Sequence, residues 1–445
     1  MFNSFTNKLQ SLKNHQGFMK YFKNTSWLFL EKIIRMIVAL FISIWLARYL
    51  GPEQFGILNY VLSFVGLFTA FASLGLDGIV IRELIQNNIK RDELINTAFF
   101  MKIIGFFLML IAIIIAISFT SNDNYTNSLI FIIAFATFFQ SFNVIDMYFQ
   151  SKVMSKYIVY ANFISLFISS LLKIIFILNN APLIAFVWIV LFDSFILALG
   201  FLYFFFNNVD FKFQISKFSK SIAIKLLKDS WSLVLTGLVF SLYMKIDQVM
   251  IKEILGNFDL GQYSAAVRLS EAWYFIPIVI ASSLFPAIIN AKKISNSLYY
   301  DRFQKLYDIT VWIAIIIAIP TLFLSEFIID LLYGESYRMA APILSLHIWT
   351  GIFIFMGIVS NKWFVAENLQ IYSFYRTLLG VSINILLNYI LIPKYGIIGA
   401  AIATLISQIF ASYIFNLTNI KLRHIFILQT NAFLLPLRKF GVKFG

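Results

Sequence analysis

Residues 24–76 read NTSWLFLEKIIRMIVALFISIWLARYLGPEQFGILNYVLSFVGLFTAFASLGL. Two apolar runs, near 24–49 and 55–76, lie on either side of a Leu50-Gly51 junction. At about 1.5 Å rise per residue, a run of about 20 residues crosses a hydrocarbon core of about 30 Å. The same pattern recurs near 94–119, 126–150, 154–178, 182–206, 229–252, 261–289, 306–333, 340–365, 371–392 and 396–420. The chain therefore reads as an all-α membrane protein of about twelve transmembrane helices.

Composition points the same way. The 445 residues are 60% hydrophobic and 13% charged, against roughly 45–50% and about 25% in ordinary globular domains. Mean hydropathy is +0.84, so lipid is the solvent. With no Cys there is no disulfide framework and no Cys-based metal site. His15, His347 and His424 are far apart and lack ligand spacing. A net charge of +14 would suggest nucleic acid in a soluble protein. In a membrane protein it reflects Lys and Arg kept on the cytoplasmic side, and no nucleic-acid partner is expected. Residues 1–23 are polar and basic without the apolar core of a cleavable signal peptide, so the first helix is expected to be the insertion signal.

The loops orient the spans. With a cytoplasmic N-terminus, 23 Lys and Arg fall in cytoplasmic segments, from Lys8, Lys13, Lys20 and Lys23 to Lys439 and Lys443. Only Arg48, Lys252, Arg338 and Lys394 fall opposite, an N-in/C-in signal. The expected organisation is a cytoplasmic segment 1–23, a six-helix lobe 24–206, a basic linker 207–228, a second six-helix lobe 229–420, and a cytoplasmic or interfacial tail 421–445. No connection is long enough for a soluble catalytic domain, and no P-loop is present.

The halves repeat. Ser26-Trp27, Leu50-Gly51 and Gly56 correspond to Ser230-Trp231, Leu255-Gly256 and Gly261 at an offset of 204–205. Farther on, Tyr148-Phe149, Tyr157 and Leu171-Leu172 correspond to Trp363-Phe364, Tyr372 and Leu386-Leu387 at 215. Six helices per copy give a parallel repeat, an arrangement in which substrate sits between two bundles that rock for alternating access.

Charges within spans are functional candidates because they are costly in lipid. Glu31 and Arg35 share a face of the first span, with Lys32 beside them; Arg268 and Glu271 share a face of the eighth. Guanidinium groups suit a diphosphate through bidentate hydrogen bonds, so Arg35 and Arg268, with Glu31, Lys32, Lys245 and Arg376, are expected to line a substrate cavity. A buried ion pair tying helices together is the competing role for Arg268 and Glu271. Asp193, Asp247 and Glu271 are the ion-coupling candidates, because low dielectric disfavours a lone charged carboxylate. A proton is expected over Na+, since clustered oxygens are not evident around these acids. Arg376, Gly380, Asn384 and Asn388 recur at four-residue steps, and Asn162, Ser165, Ser169 and Lys173 form a second stripe. Asn384, Asn388, Asn162 and Ser169 are candidates for glycan lining, or for hydrogen bonding between helices. Lys102, Lys173, Lys362 and Asp146 read as snorkelling from span ends, and His347 as a packed or hydrogen-bonded residue.

Ala47-Arg48-Tyr49-Leu50-Gly51-Pro52-Glu53-Gln54-Phe55-Gly56 resembles the corresponding segment of the Wzx-type flippases of O-antigen and capsule repeat units, within the MOP exporter superfamily. So do Gly75-Leu76-Asp77-Gly78-Ile79-Val80-Ile81-Arg82-Glu83, Lys245-Ile246-Asp247-Gln248-Val249-Met250, the run Tyr263–Pro277, and Tyr395-Gly396-Ile397-Ile398-Gly399-Ala400-Ala401. The resemblance spans nearly the whole chain. It implies two six-helix lobes opening alternately to cytoplasm and periplasm of a bacterial inner membrane. It implies an oligosaccharide on undecaprenyl diphosphate as substrate, with cavity arginines on the first and eighth helices that Arg35 and Arg268 match in position. H+ or Na+ would be the coupling ion, membrane lipid would surround the tail of the substrate, and a polysaccharide polymerase and chain-length regulator would be protein partners. No cofactor is implied. A MATE-like drug or cation exporter is the alternative, disfavoured by Arg268 and the lysines; a membrane polysaccharide polymerase or glycosyltransferase needs a large catalytic loop that the spacing denies.

Overall fold

A computed structural model describes residues 16–86 and 90–439. The expectations placed on Met1–His15, including Lys8 and Lys13, and on Phe440–Gly445, including Lys443, lie outside the described residues. Among the described residues the regular elements are all helical. They are α1 (Gln16–Ser73), α2 (Asp77–Gln86), α3 (Arg91–Ile117), α4 (Asn124–Ala136), α5 (Asn143–Ser151), α6 (Lys156–Leu178), α7 (Leu183–Asn208) and α8 (Lys220–Leu255). Then follow α9 (Asn257–Glu271), α10 (Phe275–Lys292), α11 (Asn296–Leu332), α12 (Ala340–His347), α13 (Thr350–Ala366), α14 (Ile371–Ser412), α15 (Arg423–Phe433) and α16 (Leu435–Lys439).

Among the described residues, ten helical segments are long and apolar enough to cross a membrane. Two of them, Ser26–Gln86 and Ile371–Leu417, each contain a residue that is not helical: Gly51 (φ 69°, ψ 171°) and Gly396 (φ 59°, ψ −145°). Glycine reaches positive φ without a Cβ clash, so each long segment passes at its glycine from one span to the next through a tight junction. Pro52 then starts the second helix, where its missing N–H costs nothing. Counted this way the segments give the twelve spans of the sequence reading.

Three spans are broken within their length. Residues Thr137–Phe142 form a 3-10 stretch between α4 and α5. The span 257–292 breaks between Glu271 and Phe275, because Pro277 has no N–H for the carbonyl of Trp273. The span 340–366 breaks between His347 and Thr350. The His347 carbonyl released there accepts from Ser270 Oγ at 3.3 Å and from Thr350 Oγ1. His347 Nδ1 lies 2.9 Å from Ser270 Oγ, so His347 is a buried, hydrogen-bonded residue that pins the two breaks together.

The backbone repeats at the offsets of the sequence. Gly51 and Gly256 both have positive φ, at 69° and 102°. Val153 and Asn368, 215 apart, have φ 57° and 56°. Met154 N donates to Phe149 O at 2.9 Å, and Leu369 N to Phe364 O at 2.7 Å. Lys152 N donates to Tyr148 O, and Glu367 N to Trp363 O, the same left-handed helix stop in both copies.

Contacts divide the chain into two compact units. The first comprises the described residues up to Leu46 together with Phe64–Ser241, and the second comprises Ala47–Ser63 and Leu242 onward. The first is built around Leu76, Val80, Ile95, Val144, Phe149 and Phe205. Its α2 is tied to α8 by Arg82–Asp229 at 2.5 Å and Lys225–Glu83 at 2.7 Å. The second is built around Phe303, Tyr307, Met356, Phe364, Ile425 and Ala432. In it the turn after Gly51 packs on the start of α9 through two reciprocal contacts. A Cβ on Gly56 would stand 1.9 Å from Asn257 O, and one on Gly261 would stand 1.9 Å from Pro52 O. Positions 56 and 261, and 52 and 257, are repeat equivalents, so each copy presents the glycine that admits the other's backbone.

The tail, expected as an interfacial stretch, packs on α11. Ile425, Leu428 and Ala432 share a buried face. Gln304 Nε2 donates to Leu428 O at 2.9 Å, Trp312 Nε1 to Ala432 O at 3.0 Å, and Arg438 Nη2 pairs with Asp308 Oδ1 at 2.6 Å.

Candidate functional site

Asp247 on α8 is a buried carboxylate of the second unit, at 7% exposure. Three donors from three other spans converge on it. Thr404 Oγ1 donates to Oδ2 at 2.6 Å, Tyr263 OH to Oδ2 at 3.1 Å, and Asn388 Nδ2 to Oδ1 at 3.3 Å. Asn388 Nδ2 also reaches Asn384 Oδ1 at 3.0 Å. A buried carboxylate persists only with such hydrogen bonding. Asn388 Oδ1 and Asn384 Nδ2 have no partner, so the amide pair has unused capacity beside the carboxylate.

Asp247, Glu271, His347, Thr404 and Gln408 line a small cavity of about 30 Å³, enough to admit a guest the size of a water. Oxygens of Asp247, Thr404, Tyr263 and the Asn388 amide suit a proton or a small hard cation. Among the described residues no cluster of three His, Cys, Asp or Glu exists to hold a transition metal. The expectation that clustered oxygens are lacking is corrected for Asp247: they come from α9 and α14, distant from it in sequence.

The stripe Arg376, Gly380, Asn384 and Asn388 is buried on α14. Gly380 admits Tyr243, whose ring carbon Cζ would stand 2.9 Å from a Cβ there. The face of α14 offered as glycan lining at Asn384 and Asn388 is thus turned onto α8, and both residues are fully buried beside Asp247. Arg376, offered as a diphosphate ligand, is 7% exposed and held by α13. Its Nη2 donates to Gly357 O at 2.9 Å and Asn361 Oδ1 at 3.0 Å, and its guanidinium lies 5.4 Å from the Phe364 ring centroid.

Arg268 sits on α9, one turn before the break at Glu271, with its guanidinium 5.9 Å from the Phe55 ring centroid. Lys245 is half-buried on α8, two residues from Asp247. In the first unit Arg35 Nε donates to Glu31 Oε1 at 2.7 Å. Glu31 is buried, Arg35 partly exposed, and Lys32 exposed. Asp193 accepts from Ser165 Oγ at 2.5 Å, a link between α6 and α7. Ser169 is buried and bonds within its own helix, and Asn162 is half-buried. The snorkelling expected of Lys102 is corrected. It is 4% exposed and its Nζ pairs with Asp77 Oδ1 at 2.8 Å, because α2 starts where the ammonium ends and supplies a carboxylate. Lys362 lies 5.6 Å from the Phe285 ring centroid, and Asp146 accepts from Gln150 Nε2 at 2.8 Å.

A larger depression of about 570 Å³ in the first unit is lined by Lys90, Arg91, Asp92, Glu93 and Lys217. Three of its charges pair around Asp92, Lys217–Asp92 at 3.1 Å and Arg91–Asp92 at 2.6 Å.

The sequence reading passed over a third polar stripe. Thr404, Gln408, Ser412 and Asn416 recur at four-residue steps on the last span. Thr404 bonds Asp247, Gln408 lines the cavity, and Ser412 and Asn416 are buried. The spacing was the available signal, hidden because Thr and Ser are unremarkable in an apolar helix.

Comparison with known proteins agrees with this architecture. A family model described as polysaccharide biosynthesis protein matches residues 21–292, and one described as MatE matches residues 233–390. The capsular polysaccharide biosynthesis protein CapF of Staphylococcus aureus is 21% identical over 87% of this chain and 96% of its own. The probable low-salt glycan biosynthesis flippase Agl15 of Haloferax volcanii is 23% identical over 47% of each chain. Among solved structures, an inward-facing MATE-family transporter of the MOP superfamily superposes with TM-score 0.71 at 14% identity, covering 94% of this chain and 100% of that one. The lipid II flippase MurJ superposes with TM-score 0.68 at 16% identity, covering 94% and 93%. The chain shares the fold of these transporters.

Proposed function

This chain belongs to the polysaccharide biosynthesis protein family, and we propose that it is a flippase moving undecaprenyl-diphosphate-linked oligosaccharides, O-antigen or capsule repeat units, from the cytoplasmic to the periplasmic leaflet of a bacterial inner membrane. The family match over residues 21–292 carries this reading, and the Haloferax relative named as a probable glycan flippase supports it. The chain works as two six-helix lobes, 24–206 and 229–420, with both termini cytoplasmic.

Arg35 and Arg268 engage the diphosphate. Arg268 has the bidentate fork that suits it and sits one turn from a helix break. Coupling runs through Asp247. A proton or Na+ entering the small cavity neutralises the carboxylate that Thr404, Tyr263 and Asn388 surround. Glu271 joins the two events, because it lines that cavity and lies three residues from Arg268. An outward-moving anion is favoured by an inside-negative potential, at about 2.3 kcal/mol per charge per 100 mV. The ion's work is therefore release of substrate or return of the empty carrier.

The test is flipping in proteoliposomes with imposed gradients, beside analysis of lipid-linked intermediates in a deletion strain. Asp247→Asn should abolish gradient dependence and Arg268→Ala should abolish flipping, with Arg268→Lys retaining part of it. Flipping unchanged with pH gradient, potential and Na+ all removed would exclude coupling. A deletion strain without accumulated lipid-linked oligosaccharide would exclude the substrate.

A further inference from the structure

Gln429 is a polar residue in the middle of the buried face of α15, and it is fully buried. Its neighbours on that face, Ile425, Leu428 and Ala432, are apolar. Burying an amide costs free energy unless its hydrogen bonds are met. Three are. Nε2 donates to Ser412 O at 2.9 Å and to Ser360 Oγ at 3.1 Å, and Oε1 accepts from Asn416 Nδ2 at 2.9 Å.

Two of these contacts are on the end of the last span. Ser412 is the final residue of α14, where carbonyls lack an intrahelical partner. Gln429 and Asn416 both donate to its carbonyl, at 2.9 and 3.0 Å. Gln429 is thus a C-terminal cap for α14 supplied by the tail. Through Ser360 it also ties that end to α13. Toward the other end of the same face, Ser412 Oγ reaches Gln408 Oε1 at 3.5 Å, Gln408 lines the Asp247 cavity, and Thr404 donates to Asp247. A helix is stiff over two turns, so fixing the height and rotation of Ser412 fixes those of Thr404 about 12 Å away.

We propose that Gln429 is a positioning residue for the cation site: the tail helix caps and orients the last span so that Thr404 stands at bonding distance from Asp247. Gln429 touches neither cation nor substrate. The tail is then part of the coupling apparatus, and its displacement by a protein or lipid contact would weaken ion binding at a distance. This rests on the reading of Asp247 as the coupling carboxylate.

The measurement is the cation concentration, H+ or Na+, that gives half-maximal flipping by the full chain in proteoliposomes, taken with the melting temperature in detergent. Gln429→Leu keeps the apolar docking of α15 and removes the cap. It should raise the half-maximal concentration about tenfold while maximal rate stays within about twofold. Thr404→Val removes the oriented hydroxyl and should give a similar shift. In the double variant the two shifts should not add, because both remove one alignment. Gln429→Glu, which keeps the acceptor for Asn416, should fall between. If Gln429→Leu is absent from membranes, Ser360→Ala removes a single partner of the same cap and should give a smaller shift of the same sign. Additive shifts, or a lowered melting temperature with unchanged cation dependence, overturn the positioning role. If Thr404→Val and Asp247→Asn both leave the cation dependence unchanged, the Asp247 site itself is the reading that fails.

Discussion

Gly261→Ala adds one carbon where the structure has no room for it. That Cβ would stand 1.9 Å from Pro52 O, and ordinary contact begins at 3.4 Å, so the backbones must part by about 1.5 Å. The obstructing atom belongs to backbone and cannot swing aside as a side chain would. Overpacking costs about 1–3 kcal/mol, and this site should lie at the upper end. Because a tenfold change corresponds to about 1.4 kcal/mol, the packed arrangement should lose at least an order of magnitude in occupancy. The natural chain has no cysteine, so a Glu53→Cys, Asn257→Cys pair provides the sole thiols, at positions whose side chains meet at 3.1 Å. A short bifunctional thiol reagent should join them readily in the parent. Gly261→Ala should slow the reaction tenfold or more, and Gly56→Ala should do the same from the reciprocal side. Gly78→Ala is the control, since nothing lies within 4 Å of a Cβ there. Equal cross-linking rates in the parent and Gly261→Ala would refute the close-approach argument.

Asp77→Asn removes the carboxylate paired with buried Lys102, and it should lower the melting temperature more than Lys102→Met, which removes the charge itself. Arg376→Lys should not restore what Arg376→Leu loses in thermal stability, because one ammonium cannot span Gly357 O and Asn361 Oδ1 while stacking on Phe364. Equal melting temperatures of the Lys variant and parent would contradict this. A reporter active only in the periplasm should be active when fused after Asn180 and silent after Lys217; the reverse pattern would overturn the N-in orientation.

The run at residues 24–76 and its recurrences were enough to establish a helical membrane protein, because the length of an apolar run is a local property that the bilayer reads directly. The repeat was legible for a related reason. Gly51 and Gly256, and the stops at Val153 and Asn368, are set by backbone conformation within a few residues. The partners of Asp247 were not legible. Asp247 draws on Tyr263, Asn388 and Thr404, between 16 and 157 residues away, and no periodicity within one helix specifies which neighbour it faces. For the same reason Arg376 and Asn384 read equally well as cavity lining and as interior. Only packing decided that this face of α14 meets α8, with Gly380 leaving the space for Tyr243. Lys102 looked like a snorkelling residue until tertiary structure placed Asp77 beside it. Hydrophobic pattern fixes which segments enter lipid, while rotation about each helix axis depends on side chains from other spans, and that rotation determines which polar groups meet.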